Sequence, residues 1–390
     1  MTATTSTRAL HAGPVPRADR ALAPDLARGA MLLFIALANA ANAAFAGQPG
    51  LDGTPHGAQR VVNAVLAMFV DSRAYPVFAV MFGYGLVQIA RRQGDGARRI
   101  LVRRNAALIV FGLCHAALLY FGDFLGAYGI VGIAATLLLL RRGDRFHRVV
   151  LWLWGIQTAY AEVLAVTALV GARGGDAVLT NTPNPSLAAS SYGQSILDRL
   201  AEWPVHTVTV LPFIVIVWLG IWAARRRILE NPAAHRTLLR RVAVGCLGIS
   251  VVGALPYTLI AAGAVHVDAD TVEAMALVHA VSGEYGGPGY VALFGLLALR
   301  LDRARRGRVV LAPVIALGQR SLSGYLLQSA VWLVLFAPFA LHLGGTYAAA
   351  GAAVVTWLVS LVAAWALSVT GRRGPAETLL RRITYRAIRR

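Results

Sequence analysis

"GIVGIAATLLLLRRGDRFHRVVLWLWGIQ", residues 129–157, sets two apolar runs on either side of a short arginine-rich turn. Each flank belongs to an apolar stretch near the ~20 residues that cross a hydrocarbon core of about 30 Å. The turn carries Arg141, Arg142, Arg145 and Arg148. Apolar run and arginine cluster alternate in this way along all 390 residues, which are 57% hydrophobic and 14% charged. A soluble domain carries about 25% charged residues. The reading is therefore an all-α, polytopic transmembrane helix bundle. No polar stretch is long enough to build a separate soluble core.

Apolar patterning places spans near 29–46, 74–90, 105–121, 123–140, 149–170, 205–224, 242–263, 280–299, 313–337 and 347–369. With ten spans the arginines sort themselves. The tail before the first span and the tail after the tenth hold four and seven. The connections after the second, fourth, sixth and eighth hold six, four, six and five, so that 32 of the 37 arginines share one side. The positive-inside rule then puts both termini in the cytoplasm. The expected organisation is a mobile cytoplasmic tail over 1–24, a ten-span bundle over 25–371 and a basic cytoplasmic tail over 372–390. No short apolar core lies near Met1, so a cleaved signal peptide is not expected.

The same distribution explains the formal net charge of +19. Arginines at one face attract anionic lipid headgroups, and nucleic acid is not the expected partner. The chain has no lysine, which excludes Schiff-base chemistry. Cys114 and Cys246 both lie in apolar runs and offer neither metal spacing nor a disulfide framework. No metal site is expected. The expected setting is a cell membrane, crossed many times.

Polar residues inside such a bundle are the candidates for function, because each costs free energy in hydrocarbon. Asp25 and Arg28 stand three apart at the start of the first span, as a cap and anchor or as a binding pair. Asn39 and Asn42 lie one turn apart in its outer half, where they glue helices together or orient a substrate. His56, in "GQPGLDGTPHGAQR" (47–60), is a solvated loop residue or a general base. Asp71 and Arg73 form an expected pair at the outer end of the second span, where Gly83 and Gly85 permit close packing. In the hairpin of the third and fourth spans, Asp123 is an N-cap or a site residue. His115 lies two turns deeper. Gly126, Gly129 and Gly132 invite a neighbouring helix. The run "HAVSGEYGGPGYVALF" (279–294) is too rich in glycine for a regular helix over 283–289, and Glu284 sits within the break. Broken membrane helices often line sites. In the outer loop, "SSYGQSILDRLAEW" (190–203) reads as a short interfacial helix ending on Trp203.

The ninth span, "GQRSLSGYLLQSAVWLVLF" (318–336), buries an arginine that costs about 2.5–3.5 kcal/mol on an insertion scale. At about 100° per residue, Arg320, Ser321, Gly324, Tyr325, Gln328 and Ser329 share one half of a helix. Arg320 either snorkels to the inner headgroups or binds an anionic group of a ligand, with Tyr325, Gln328 and Ser321 lining the site beside it.

Five segments together resemble the YeiB-like bacterial membrane proteins, the family called domain of unknown function 418. They are "PDLARGAMLLFIALAN" (24–39), "RAYPVFAVMFGYG" (73–85), "FGLCHAALLYFGDFLGAYGIVG" (111–132), "LGQRSLSGYLLQS" (317–329) and "RRGPAETLLRRITY" (372–385). The likeness runs from about residue 20 to 386. Where the family usually has "ALTNYL", this chain has Ser323 and Gly324. A more distant likeness joins the opening of the first two spans to the transmembrane acyltransferases. It implies transfer of an acyl group from cytoplasmic acyl-CoA, as co-substrate, to a small-molecule acceptor on the outer side. It also implies Arg28 at the cofactor phosphates and a histidine as base, with His56 at the corresponding place. From the residues themselves three readings stand. One is an acyltransferase with His56, His115 and Asp123 as its catalytic groups and Arg320, Tyr325, Gln328, Ser321, Asn39 and Glu284 around the substrate. The second is a transporter of a small solute. The third is an envelope protein without chemistry of its own.

Overall fold

The computed structural model describes residues 22–303 and 305–385. Residues 1–21 and 386–390, parts of the two expected tails, lie outside the described residues. Helix dominates. The first half of the chain holds α1 (Leu22–Ala44), α2 (Ala58–Val65), α3 (Ala74–Gln93), α4 (Ala97–Leu118), α5 (Phe124–Leu138), α6 (Asp144–His147), α7 (Val149–Val170), α8 (Pro185–Ala188) and α9 (Tyr192–Val210). The second half holds α10 (Ile214–Arg225), α11 (Arg236–Ala261), α12 (Ala269–Gly283), α13 (Gly286–Arg303), α14 (Arg305–Val310), α15 (Ala312–Gly318), α16 (Ser321–Phe336), α17 (Thr346–Val369) and α18 (Pro375–Tyr385). One antiparallel pair, β1 (Gly47–Gln48) with β2 (Thr182–Pro183), ties the loop after α1 to the long loop after α7.

This is an all-α membrane helix bundle. Among the described residues six helical stretches are long and apolar enough to cross a bilayer by length and composition, and α5 and α16 are shorter apolar helices. Helix is present in each of the ten segments picked out by hydropathy.

Helix α1 runs through the middle, with 72% of its most apolar window buried. It packs on α3, α13, α15, α16 and α17. Close approach is the packing force available in lipid, and two crossings show it. A Cβ on Gly83 would lie 2.0 Å from the Val217 carbonyl oxygen, so α3 and α10 touch backbone to backbone there. Gly85 meets no such neighbour. In the α4–α5 hairpin a Cβ on Gly112 would lie 2.2 Å from the Gly126 nitrogen.

Four local readings of the sequence change. The ninth span is two helices, because α15 stops at Gly318 and Arg320 (φ −124°, ψ 29°) precedes the new start at Ser321. The capping group comes from elsewhere: Glu377 of α18 accepts the N–H of Leu322 at 2.8 Å and of Ser323 at 3.1 Å, and takes the Ser323 hydroxyl at 2.5 Å. Two orphan amides of a helix start are thereby satisfied by a residue 55 positions away. The break in the eighth span is confined to Glu284 and Tyr285, and helix resumes at Gly286 with Pro288 in its first turn, where a missing N–H is harmless. The outer-loop helix does not end on Trp203; α9 continues through Pro204 to Val210. Within the C-terminal tail, Pro375–Tyr385 is a helix that packs on α4 and α16.

Candidate functional site

Two cavities penetrate the bundle from opposite ends. One, of about 330 Å3, opens among Arg28, Arg104, Gln319, Ser321 and Glu377 and continues between apolar walls that include Leu32, Phe78 and Met81. The other, of about 720 Å3, is lined by Asn39, Asn42, Gln48, Asp71, His206, His279 and Glu284, with aromatic walls from Tyr120, Phe121 and Tyr257. Tyr75 and Phe124 line both cavities. Their rings stack with centroids 4.0 Å apart and planes 12° apart. They form a septum.

The septum is held on several sides. The Tyr75 hydroxyl donates to Asn39 Oδ1 at 2.7 Å, and the Tyr128 hydroxyl donates to the Tyr75 carbonyl at 2.9 Å. Phe124 opens α5, whose N-cap is Asp123. Its carboxylate accepts the N–H of Leu125 at 3.1 Å and of Gly126 at 2.7 Å, as a capping residue should. The Tyr325 hydroxyl donates to the Gly122 carbonyl at 3.1 Å, one residue before the cap.

Beside Asp123 lies a buried chain of hydrogen bonds. His115 Nδ1 is 3.0 Å from Asp123 Oδ1, and His115 Nε2 is 2.8 Å from Ser329 Oγ. The carboxylate, already accepting from two amides, accepts a hydrogen bond from Nδ1–H, which leaves Nε2 as an acceptor for the serine hydroxyl, itself also 3.2 Å from the Tyr325 carbonyl. This order of groups matches a hydrolase triad. Yet His115, Asp123 and Ser329 are at most 2% exposed, and none lines either cavity. A nucleophile needs a path to its substrate. The His115 ring lies 4.8 Å from that of Tyr325, and Asp123 caps the helix that Phe124 opens, so the chain packs against the Phe124 side of the septum.

In the outer cavity Asp71 presents a carboxylate whose Oδ2 accepts from His279 Nε2 at 2.9 Å and from the Ser72 hydroxyl at 3.3 Å. Arg73 is 1% exposed. It is not bonded to that carboxylate as expected; it donates to the Asp71 carbonyl, to the Ser250 carbonyl and toward the His279 ring. Glu284 lines the same cavity and accepts from Gln157 Nε2 at 3.3 Å. His206 stands edge-on to Phe124, with centroids 5.1 Å apart. Its Nε2 has no hydrogen-bond partner among the described residues.

The expected site residues thus divide. Asn39 and Glu284 line the outer cavity, and Arg28, Ser321 and Tyr325 line the inner one. Arg28 also donates to Asp25 and to the Met81 carbonyl, each at 3.5 Å. His115 and Asp123 are adjacent to both cavities but sealed from them. Gln328 is buried against α1, donating to the Leu32 carbonyl at 3.3 Å. Arg320 lines neither of these cavities and does not snorkel: it is 3% exposed and donates to the carbonyls of Ala316 and Arg372. It joins the end of α15 to the segment before α18. His56 is exposed in its loop, its backbone N–H held by Gln59, apart from both cavities. His206 and the Asp71–His279 pair were not picked out from sequence. A signal for His206 existed, since an ionisable group within an apolar helix is a candidate by default.

No cluster of three or more metal-ligating side chains occurs among the described residues.

Comparison with known proteins finds similarity to one family. Residues 223–387 match the family described as Protein of unknown function (DUF418). YxaH of Bacillus subtilis (strain 168), an uncharacterized protein, is 26% identical over 346 residues, covering 82% of this chain and 81% of its own. The uncharacterized YeiB of Escherichia coli (strain K12) is 24% identical over 395 aligned positions, covering 95% of this chain and 97% of its own. A 39.9 kDa protein of Bacillus acidopullulyticus is 30% identical over 123 residues, 31% of this chain and 34% of its own. The chain is thus similar, over its C-terminal part, to the DUF418 family and, over most of its length, to the uncharacterized proteins YxaH and YeiB.

Proposed function

We propose that the protein moves an acyl group across the septum, from an acyl-CoA-type donor in the inner cavity to a hydroxyl of a polyhydroxylated acceptor in the outer one. The observation that carries this reading is the meeting of the two cavities at a single stacked pair, Tyr75 and Phe124. The inner cavity joins two cations, Arg28 and Arg104, to an apolar bore. That combination suits an anionic head followed by a thin arm. The outer cavity combines amides and carboxylates with aromatic faces and suits a sugar-like molecule. Ten spans with 32 arginines on one side support a cytoplasmic Arg28 end under the positive-inside rule.

The chemistry needs one base at the junction. An acceptor hydroxyl attacks the thioester carbonyl and gives its proton to His206 Nε2. The carbon–sulfur bond breaks, the thiolate takes the proton back, and an ester and a free thiol remain. Asp71, held by His279, orients the acceptor's other hydroxyls.

Transport is the second reading, favoured by the same opposed cavities. A whole solute would have to part a septum pinned by Asn39, Tyr128 and the Asp123 cap, whereas an acyl group needs its carbonyl only to reach the junction. Thiol release from acetyl-CoA by purified protein in vesicles, dependent on added sugar acceptors, supports transfer. Solute counterflow without thiol release would replace it with transport.

A further inference from the structure

A third cavity has no part in the scheme above. It is a groove of about 760 Å3 between α7, α10, α11 and α13, and its walls are mostly apolar, with Trp154, Leu219, Val242 and Ile249 among them. Helix α7 makes one side and is peripheral: among its 22 residues only Val150 and Ala168 are buried. Leu151 and Ile249 on the rim are 42% and 36% exposed, so the groove opens sideways onto the apolar surface of the bundle.

One end of the groove is different. Arg226, His235 and Arg241 line it there, at the arginine-rich connection between α10 and α11. Neither arginine makes an ion pair with a described residue. Arg226 lies over the Trp222 ring, 5.1 Å from its centroid. Two indole N–H groups of the lining, Trp154 and Trp222, are buried and find no acceptor among the described residues. A buried donor without an acceptor is costly, and hydrocarbon does not supply one. The nearest carboxylate in sequence, Glu230, does not line the groove and is engaged by the Tyr84 hydroxyl and by Gln88 Nε2.

We infer that this groove binds an anionic phospholipid of the inner leaflet, its phosphate between Arg226, His235 and Arg241 and one acyl chain along the apolar wall. Guanidinium groups match phosphate oxygens, the ester and phosphate oxygens give the tryptophan N–H groups acceptors, and the lateral opening admits a lipid from the bilayer. A soluble anion would use the arginines but leave the apolar length empty.

Native mass spectrometry of the full-length protein, exchanged between micelles containing dioleoyl phosphatidylglycerol or dioleoyl phosphatidylcholine, tests this. Wild type should retain phosphatidylglycerol over phosphatidylcholine by at least about fivefold, the effect of roughly one arginine near an anionic headgroup. The double variant Arg226→Gln/Arg241→Gln should lose the preference. Arg98→Gln/Arg99→Gln, at an exposed basic turn elsewhere, should keep it. Gly155→Leu, which adds bulk where a Cβ meets nothing within 4 Å, should reduce retention of both lipids. Should the double variant fail to insert, brominated phosphatidylglycerol should quench wild-type tryptophan fluorescence more than brominated phosphatidylcholine, and Trp222→Phe should remove most of the difference. Equal retention of the two lipids by wild type, a preference unchanged in the double variant, or equal quenching would overturn the inference.

Discussion

The ring of Tyr75 stacks on the ring of Phe124 with 4.0 Å between centroids, and the same two rings wall both the inner and the outer cavity. If this pair is the point where an acyl group passes, it is also what keeps water from the thioester. Phe124→Ala should therefore raise thiol release in the absence of any acceptor while lowering transfer to sugar. Thiol detection with and without acceptor measures both. A variant that lowers both rates alike would show the septum has no sealing role.

The Ser329–His115–Asp123 chain is predicted to brace rather than react. Ser329→Ala should keep turnover within about tenfold of wild type, well short of the 10²–10⁴-fold that general acid–base groups contribute. Asp123→Ala removes the α5 cap and leaves His115 unpaired in the interior, and should destabilise by about 3 kcal/mol or more. Detergent unfolding curves and turnover on the same samples separate the two effects. Loss of turnover in a normally stable Ser329→Ala protein would make the serine a nucleophile.

Glu377 is predicted to hold α18 against the inner cavity mouth. Glu377→Ala should cost about 1.5–3 kcal/mol, the range for hydrogen bonds to a charged group, and should expose α18 to proteases. Limited proteolysis followed by mass analysis reads this. Protection equal to wild type would mean that apolar packing on α4 suffices.

Topology can be mapped directly. Reporter fusions after Arg92, Arg142, Arg227 and Arg306 should report cytoplasm, and one near Asn184 the outer side. Any arginine-cluster fusion on the outer side would break the ten-span arrangement.

The bundle was legible in sequence because hydrophobic length and arginine position are local quantities. The α4–α5 hairpin, the Asp123 cap and the inward face carrying Tyr325 and Gln328 were legible for the same reason, each a pattern within a few turns of helix. What escaped was set by distant residues. The new helix start at Ser321 is capped by Glu377, which no window around residue 320 contains. Arg320 looked like a ligand-binding cation because the carbonyl of Arg372, its acceptor, lies 52 positions away. Asp71 and His279 meet across 208 positions. His56 attracted notice through its place in the first outer loop and through the acyltransferase likeness, neither of which says which cavity that loop reaches.

The central claim rests on His206, which lines the outer cavity with its ring 5.1 Å from that of Phe124 and whose Nε2 has no partner among the described residues. The most direct measurement is sugar-dependent thiol release from acetyl-CoA by wild type and His206→Gln in vesicles, with Asp71→Asn and His56→Gln alongside. The account predicts a loss of about 10²-fold or more for His206→Gln, a weaker apparent affinity for the acceptor in Asp71→Asn, and wild-type rates for His56→Gln. Normal turnover by a folded His206→Gln protein, or no acceptor-dependent thiol release from wild type, would contradict it.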